Sequence, residues 1–284
     1  IISDSVMPKQ GYDDYQIFDE ETVNFESRHN ELINKLSSKG KFFLFLHYTE
    51  VHKYLVREIV EKYKNKNDDE YFSSQSKNNE RYESYLPMCD RYVSTILNSL
   101  KKSGIYENTL VVFFSDHGTS IGEKHGEKFY GVFTYDYTIQ VFCMIHCNDN
   151  FAKTFSQQCS TVDIFPTIMD FLGMNTKNNT LQGNSLFEFI ENPSSTDRDI
   201  FVETGGLYGP WPSPKKHNVF CLRKNNSKLI YNDTPQTWEF YDLLDDPNEL
   251  NNLFSESSEI KSLQNELISF LKQNNIQTHL TEIN

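Results

Sequence analysis

The segment Thr109-Leu-Val-Val-Phe-Phe114, followed at once by Ser115-Asp-His-Gly118, carries the strongest indication of the fold. Its unbroken apolar run is typical of a strand that is buried on both faces of a sheet. Ligands of open α/β sheets bind beyond the carboxyl ends of the strands, which makes Asp116 and His117 candidate functional residues. Gly118 permits the sharp turn that would bring both side chains to one cation. The alternative is an ordinary turn in which Asp116 caps the next element and His117 has no function.

Helix-like and strand-like segments alternate around this strand. Apolar residues at three- and four-residue spacing predict helices over residues 22–38, 80–103 and 163–172. Apolar runs predict further buried strands over residues 41–47 and 139–146. The order of these elements predicts an α/β domain built on a parallel sheet. Residues 63–79 are polar and of low complexity, which predicts a surface loop.

The chain changes character after about residue 192. Short strand-like segments precede a helical one, at residues 200–203, 218–223, 228–231, 238–242 and 258–273. One apolar face is supplied by the alternating residues Phe220, Leu222, Leu229 and Tyr231. We therefore expect an α/β core over residues 1–195 and a small C-terminal α+β subdomain over residues 196–284. The subdomain would be an antiparallel sheet with one helix.

Composition excludes several classes of protein. The 27 Lys and Arg against 40 Asp and Glu leave a formal net charge of −13, so no net positive field attracts the phosphates of a nucleic acid. The apolar runs are strand-sized, which argues against a transmembrane segment in this chain. The five scattered cysteines are expected to be small buried apolar residues, not a disulfide framework. No compartment is assigned, although the secretory pathway and an extracytoplasmic location fit the sequence.

Cationic residues follow two of the predicted strands. The loop Gly122-Glu-Lys-His-Gly-Glu-Lys128 would place cations beside Asp116 and His117, as an anionic ester requires. Without that neighbouring pair the loop would be an ordinary solvated one. His52 lies beyond the apolar run 41–47 and can bind an anion or protonate a leaving group. His47 lies within the run and is expected to be a core histidine.

Five segments of the chain resemble motifs of the sulfatase family of the alkaline-phosphatase-like superfamily, and they occur in the same order as in that family. Residues 108–118 are close to its N-T-L-V-V-F-T-S-D-H-G, and residues 122–126 resemble its G-E-H-G. Residues 42–54 are similar to a family strand with its D-P-H-x-P-Y segment. Residues 160–173 resemble the D-I-x-P-T-x-x-x-x-x-G helix. Residues 239–253 resemble E-L-Y-D-L-x-x-D-P-x-E-x-x-N-L.

The resemblance implies an alkaline-phosphatase-like layered sheet with flanking helices and the hydrolysis of a sulfuric ester with a divalent cation. Asp116 and His117 would be ligands of that cation. The ion would be Ca²⁺ first, or Mg²⁺, Mn²⁺ or Zn²⁺ in a phosphoryl-transfer relative. The substrate would be a small or glycan-borne sulfate or phosphate ester.

The same resemblance assigns the residues that would meet the ester. His52 would contact its anion or assist the leaving group. Lys128 is similar to the family's substrate-binding lysine, with Lys124 as the second choice, and His125 would be a neighbouring pocket residue. His52 and Lys128 are thus the implied catalytic residues.

Two family elements have no counterpart in this sequence. They are the first strand with its paired metal-binding aspartates, and the C-x-P-S-R or S-x-P-S-R motif that supplies the nucleophile. In addition, residues 49–54 lack both prolines of D-P-H-x-P-Y. We therefore expect the chain to be a truncated part of a sulfatase that hydrolyses esters poorly by itself. The alternatives are a phosphoethanolamine or phosphoglycerol transferase of the same superfamily and a non-catalytic sulfatase-like binding domain.

Overall fold

A computed structural model describes residues 9–18, 22–63, 68–147, 154–174, 181–191, 198–208 and 216–282. The chain divides into two compact units. The first unit comprises Ile1–Lys66 with Ser76–Leu110, and the second comprises Asn67–Gln75 with Val111–Asn284. The predicted boundary near residue 195 falls among residues 192–197, outside the described residues, and stays a prediction.

The first unit is helical. Its α-helices are α1 (Phe25–Ser37), α2 (Glu50–Tyr54), α3 (Glu61–Tyr63), α5 (Gln75–Glu83) and α6 (Leu86–Lys102), and a π-helix over Leu55–Val60 joins α2 to α3. The Asn24 side chain caps α1 by accepting a hydrogen bond from the Ser27 N–H. Helices α1 and α6 each bury one face, and the ring of Tyr92 from α6 packs against Phe25 and His29 of α1. Helix α1 confirms the prediction for residues 22–38.

One prediction for the first unit is wrong, and a second is confirmed only in part. Residues 42–49 form no regular structure, and Phe43 and Phe45 are 65% and 49% exposed. No strand among the described residues pairs with this segment, and an apolar run without a partner cannot be a buried strand. The predicted helix over residues 80–103 is broken, because α5 ends at Glu83 and α6 begins at Leu86.

The polar insert is also not the loop that its composition predicted. It contains α4 (Asp68–Phe72) and the start of α5. The Tyr71 side chain is fully buried, and its hydroxyl proton is shared between the backbone carbonyl oxygens of Ser120 and Lys128, which lie 3.1 and 2.8 Å from Oη. Tyr71 therefore holds α4 within the second unit, to which residues 67–75 belong.

Two strands of the second unit carry the candidate site. Strand β1 (Val111–Phe114) pairs with β2 (Cys143–His146), and the register runs from Val111 opposite His146 to Phe114 opposite Cys143. The two strands are antiparallel, so the parallel arrangement predicted for this region is wrong. The first residue of the predicted strand 139–146 belongs instead to a short helix, α7 (Asp136–Ile139). Helix α8 (Ile164–Phe171) confirms the prediction for residues 163–172, and α9 (Phe187–Glu191) follows it.

The C-terminal part confirms its prediction closely. Strands β3 (Ile200–Tyr208), β4 (Lys216–Lys224), β5 (Ser227–Asn232) and β6 (Thr237–Asp242) form an antiparallel meander, followed by α10 (Ser258–Gln273) and α11 (His279–Glu282). The face predicted to be apolar packs against α10, where its residues meet Ile260, Leu263, Leu267 and Leu271. That burial holds the helix on the sheet.

The opposite face of the same sheet packs against the segment that leads into α7. Val219, Cys221, Ile230 and Tyr241 form a buried cluster with Tyr135. Because side chains alternate between the two faces of a strand, Arg223 and Lys228 lie on this face as well. The sheet is therefore packed on both faces. Helix α10 lies on one face, and the segment that leads into α7 lies on the other.

Two further predictions concern cysteines and membranes. All five cysteines are free thiols, and Cys221 is buried as expected, whereas Cys143 and Cys159 are exposed. Within the described ranges, every helix is too short or too polar to cross a lipid bilayer.

Candidate functional site

The turn that follows β1 brings the side chains of Asp116 and His117 together. Asp116 Oδ2 lies 3.5 Å from His117 Nε2, and Asp116 Oδ1 accepts a hydrogen bond from the His117 N–H at 2.9 Å. The two side chains are 74% and 36% exposed. They therefore stand side by side at the end of a strand, open to a ligand.

Two contacts orient the His117 ring. Nδ1 lies 2.7 Å from the Gly118 carbonyl oxygen, which can only accept, so Nδ1 is the protonated nitrogen and donates. The neutral ring then has its lone pair on Nε2, the nitrogen that Asp116 Oδ2 approaches. The Tyr130 ring packs against the imidazole with centroids 3.8 Å apart. Asp116 Oδ2 and His117 Nε2 are therefore close enough for one cation to be bound by both.

These donors suit part of the shell of a divalent cation. A carboxylate oxygen and an imidazole nitrogen are ordinary ligands of such ions. Within the described ranges, no group of three or more His, Cys, Asp or Glu residues is placed to hold a metal ion. Asp116 and His117 are thus suited to be two ligands among several.

Gly118 fixes the turn onto α7. Its N–H donates a 2.7 Å hydrogen bond to the Thr138 carbonyl oxygen. A Cβ at this position would lie 2.3 Å from the Tyr137 carbonyl oxygen. Only glycine allows this approach of two backbones, so the position of α7 determines where Asp116 and His117 lie.

A buried carboxyl group organises the loop after the turn. Glu127 is inaccessible to solvent, and its Oε1 accepts hydrogen bonds from the Val132 and Phe133 N–H groups at 2.9 and 3.0 Å. Burial raises the pKa of Glu127 to about 7, against the opposing effect of these hydrogen bonds. The buried Glu127 carboxyl group thus holds the backbone on the far side of Tyr130 by two hydrogen bonds.

The cations predicted from this loop have different surroundings. Lys124 Nζ donates to the Glu249 carbonyl oxygen and lies 4.8 and 5.6 Å from the ring centroids of Tyr135 and Tyr241. His125 is exposed and packs against the Phe72 ring at 4.3 Å. Lys128 is half-buried. None of the three is among the residues that line the cavity beside Asp116 and His117.

His52 lies on α2, is exposed, and belongs to the first unit. The convergence of His52 on Asp116 therefore stays a prediction. His47 is exposed, which contradicts the core position expected for it. The reason is that residues 42–49 do not form the buried strand that would have enclosed it.

A cavity of about 1070 Å³ in the second unit adjoins the pair. Asp116, His117 and Tyr130 line it, together with many apolar side chains and the Arg223 side chain of β4. Arg223 Nη1 forms an ion pair with Asp136 Oδ2 at 3.1 Å. Arg223 was missed from the sequence, although a cation at the end of the alternating apolar segment 218–223 was the available signal.

Comparison with known proteins gives consistent results. The Sulfatase family model matches residues 5–174, and the model of the N-sulphoglucosamine sulphohydrolase C-terminal region matches residues 123–277. The N-acetylglucosamine-6-O-sulfatase of Bacteroides thetaiotaomicron is 33% identical over 191 residues, which are 65% of this chain and 33% of that protein. Arylsulfatase K of Homo sapiens is 27% identical over 213 residues, 70% of this chain and 38% of that protein.

Solved structures show the same likeness. A structure in complex with its substrate D-glucosamine-2-N,6-O-disulfate has a TM-score of 0.52 and 27% identity, and covers 68% of this chain and 39% of that one. A 2-O GAG sulfatase has a TM-score of 0.60 with 17% identity over 87% of this chain and 56% of that one. The phosphonate monoester hydrolase of Silicibacter pomeroyi has a TM-score of 0.53 and 21% identity, and the match covers 67% of this chain and 40% of that one. The last two show the fold alone.

These likenesses confirm the predicted α/β, alkaline-phosphatase-like architecture. The chain spans about a third of the length of the curated relatives it matches. The Sulfatase model alone accounts for more than half of the chain, and it includes the Ser115–Gly118 turn with the Asp116 and His117 pair. Members of the Sulfatase family generally use a divalent cation. The chain therefore belongs to the sulfatase family.

Proposed function

We propose that this protein hydrolyses sulfuric esters with a divalent cation that Asp116 and His117 help to bind. The observation that carries the proposal is the 3.5 Å approach of Asp116 Oδ2 to His117 Nε2, at the wall of a cavity, in a chain of the sulfatase family. Calcium is the ion we propose first, because the exposed carboxylate suits a hard cation that completes its shell with further oxygens.

A bound divalent cation would neutralise the negative charge that develops on the ester oxygens. The chain prepares that position by holding His117 Nδ1–H on the Gly118 carbonyl, which keeps Nε2 available. Arg223 also lines the cavity, where its guanidinium would offer further N–H donors to an anionic group beside its ion pair with Asp136.

We retain the other predicted site residues as proposals. Lys128 is preferred to Lys124 for substrate binding, because the Lys124 ammonium is engaged with the Glu249 carbonyl and two tyrosine rings. His125 is proposed as a neighbouring pocket residue and His52 as the group that meets the ester anion or its leaving oxygen.

A sulfated amino sugar is the substrate class that we propose. The 33% identical relative is an N-acetylglucosamine-6-O-sulfatase, and the structure at 27% identity holds a glucosamine disulfate. The cavity of about 1070 Å³ is of the size that accommodates ligands of this class. Its apolar and aromatic lining would face the carbon skeleton of the sugar.

Hydrolysis of a phosphorus ester is the second candidate. It is supported by the likeness in fold to a phosphonate monoester hydrolase and by the donor pair, since oxygen and nitrogen ligands serve the ions of phosphoryl transfer as well. Sulfate and phosphate or phosphonate esters therefore have to be compared directly.

The test measures calcium binding, and then N-acetylglucosamine 6-sulfate binding, by isothermal titration calorimetry. We expect the ester to bind only with calcium present, and Asp116→Ala and His117→Ala each to weaken calcium binding by roughly tenfold or more. The exposed Asp245→Asn is the matched control and should change neither affinity. Unchanged calcium affinity in both alanine variants would contradict the proposal.

Turnover is followed in parallel by the release of 4-nitrophenol from its sulfate and phosphate esters. Faster release from the sulfate supports the first candidate, and faster release from the phosphate supports the second. Ester binding without turnover agrees with the absence of a recognisable nucleophile motif from residues 1–284. Robust turnover would show that the nucleophile lies within these residues.

A further inference from the structure

A buried lysine joins two carboxylates beneath the candidate site. Lys228 on β5 is fully buried, and its Nζ lies 2.7 Å from both Asp136 Oδ1 and Glu249 Oε1. Glu249 is 1% exposed, and its Oε2 accepts a 2.7 Å hydrogen bond from the Asp136 N–H. Arg223 binds the second carboxylate oxygen of Asp136 at 3.1 Å. We call Lys228, Asp136 and Glu249 the ion cluster.

Within the ion cluster, Lys228 and Glu249 both bind Asp136, the first residue of α7. Asp136 begins that helix, and Glu249 accepts from its N–H while Lys228 and Arg223 hold its side chain. The same helix supplies the Thr138 carbonyl that accepts from Gly118. Gly118 directly follows Asp116 and His117. A continuous path of direct contacts therefore leads from the ion cluster to the proposed cation ligands.

The backbone around Glu249 has an unusual conformation that presents the side chain to the cluster. Glu249 has φ of +53°, a left-handed conformation that costs energy for any residue except glycine. Asp246 stabilises the bend by accepting hydrogen bonds from the Leu250 and Asn251 N–H groups at 3.0 and 2.7 Å. These two hydrogen bonds hold the bend from which the Glu249 side chain reaches Lys228.

We infer that Glu249 and Lys228 are positioning residues, which set the place of Asp116 and His117 through α7 and Gly118. The inference rests on the proposed function in one respect, that Asp116 and His117 bind a cation. The contacts from the ion cluster through α7 to Gly118 do not depend on that proposal. It assigns a task to the D-P-N-E segment, residues 246–249, and to the C-terminal sheet, far along the chain from the ligands. Neither Glu249 nor Lys228 would touch substrate or cation.

The test uses the whole chain with Glu249→Gln as the main variant. A glutamine oxygen can still accept the Asp136 N–H, whereas Lys228 loses one of its two counter-charges. The Mn²⁺ dissociation constant is measured by electron paramagnetic resonance, and hydrogen exchange of the Gly118 amide by nuclear magnetic resonance. Asp136→Asn is the second variant should Glu249→Gln fail to fold. The exposed pair Glu256 and Lys261 provides the matched control, as Glu256→Gln with Lys261→Met.

We expect Mn²⁺ binding roughly tenfold weaker and Gly118 exchange roughly tenfold faster in Glu249→Gln, with amides of α10 unchanged and the control unaffected. Equal acceleration at Gly118 and in α10 would show a purely structural role and overturn the inference, as would unchanged Mn²⁺ affinity despite faster Gly118 exchange. If wild-type Mn²⁺ binding does not respond to Asp116→Ala, the proposed cation pair fails. Gly118 exchange then decides by itself whether the ion cluster holds the turn.

Discussion

At the residue scale, His29 should make the first unit sensitive to acid. The ring lies among Phe25, Tyr48 and Tyr92, with Tyr48 Oη 2.7 Å from Nε2. Burial lowers the pKa of His29 to about 4, below its ordinary value, so the unfolded chain binds the proton more tightly. Stability is full above about pH 6.5 and falls by about 3 kcal/mol as the pH drops to 4.

The variant His29→Phe should remove this dependence. Between pH 6.5 and 4.5 its free energy of unfolding, measured with urea, should fall about 1.4 kcal/mol less per pH unit than that of the wild type. Phe25→Leu disturbs the same aromatic cluster without a titrating group and should lower stability equally at every pH. Identical slopes for His29→Phe and the wild type would show that His29 is not the titrating group.

Glu127 should make the protein less stable as the pH rises, the opposite of the effect of His29. Because its pKa is raised to about 7, the folded chain binds the proton more tightly than the unfolded one. Its contribution to stability is full below about pH 4.5 and is lost as the pH rises through 7. Glu127→Gln should therefore be more stable than the wild type by about 3 kcal/mol at pH 8, and no more stable at pH 4. Urea unfolding at both pH values, with the exposed Glu256→Gln as control, measures this. An equal gain at both values would exclude titration as its cause.

At the element scale, the junction of β1 with α7 depends on the absence of a side chain at Gly118. Gly118→Ala would place a methyl group against the Tyr137 carbonyl oxygen, and a backbone atom cannot rotate away. We expect a loss of stability of about 1–3 kcal/mol together with weaker cation binding. Gly104→Ala is the control, since that position has open space but φ of +69°. It should lower stability without affecting cation binding, as thermal unfolding and Mn²⁺ titration would show. A harmless Gly118→Ala would mean that the turn is not fixed by this contact.

At the scale of the whole molecule, the net charge of −13 opposes the approach of an anionic ester. Raising the ionic strength from about 0.01 M to 0.15 M shortens the screening length from about 30 to 8 Å. If the proposed function holds, association with a sulfate ester should become roughly twofold faster over that range, and a disulfate should respond more strongly than a monosulfate. Stopped-flow binding tests this. Slower association in salt would mean that local cations such as Arg223 govern the encounter.

Elements with a local, repetitive signal could be predicted from the amino-acid sequence. Helix α10 has the predicted bounds, and Phe220, Leu222, Leu229 and Tyr231 share the face that their alternation predicted. The Asp116 and His117 pair was also predicted, because adjacent polar residues at the end of an apolar strand with glycine next have few arrangements. Periodicity and backbone sterics act within a few residues, so they can be read without knowing the rest of the fold.

Features that depend on partners distant in the chain could not be predicted in this way. The antiparallel pairing of β1 with β2, the irregular backbone of residues 42–49 and the helix held by Tyr71 all depend on which segments meet. The ion cluster combines residues 136, 228 and 249, and nothing in their separate surroundings in the sequence indicates a common site. An apolar run specifies that a segment is buried but not its neighbour, and a buried charge is stable only where the fold brings its counter-charge.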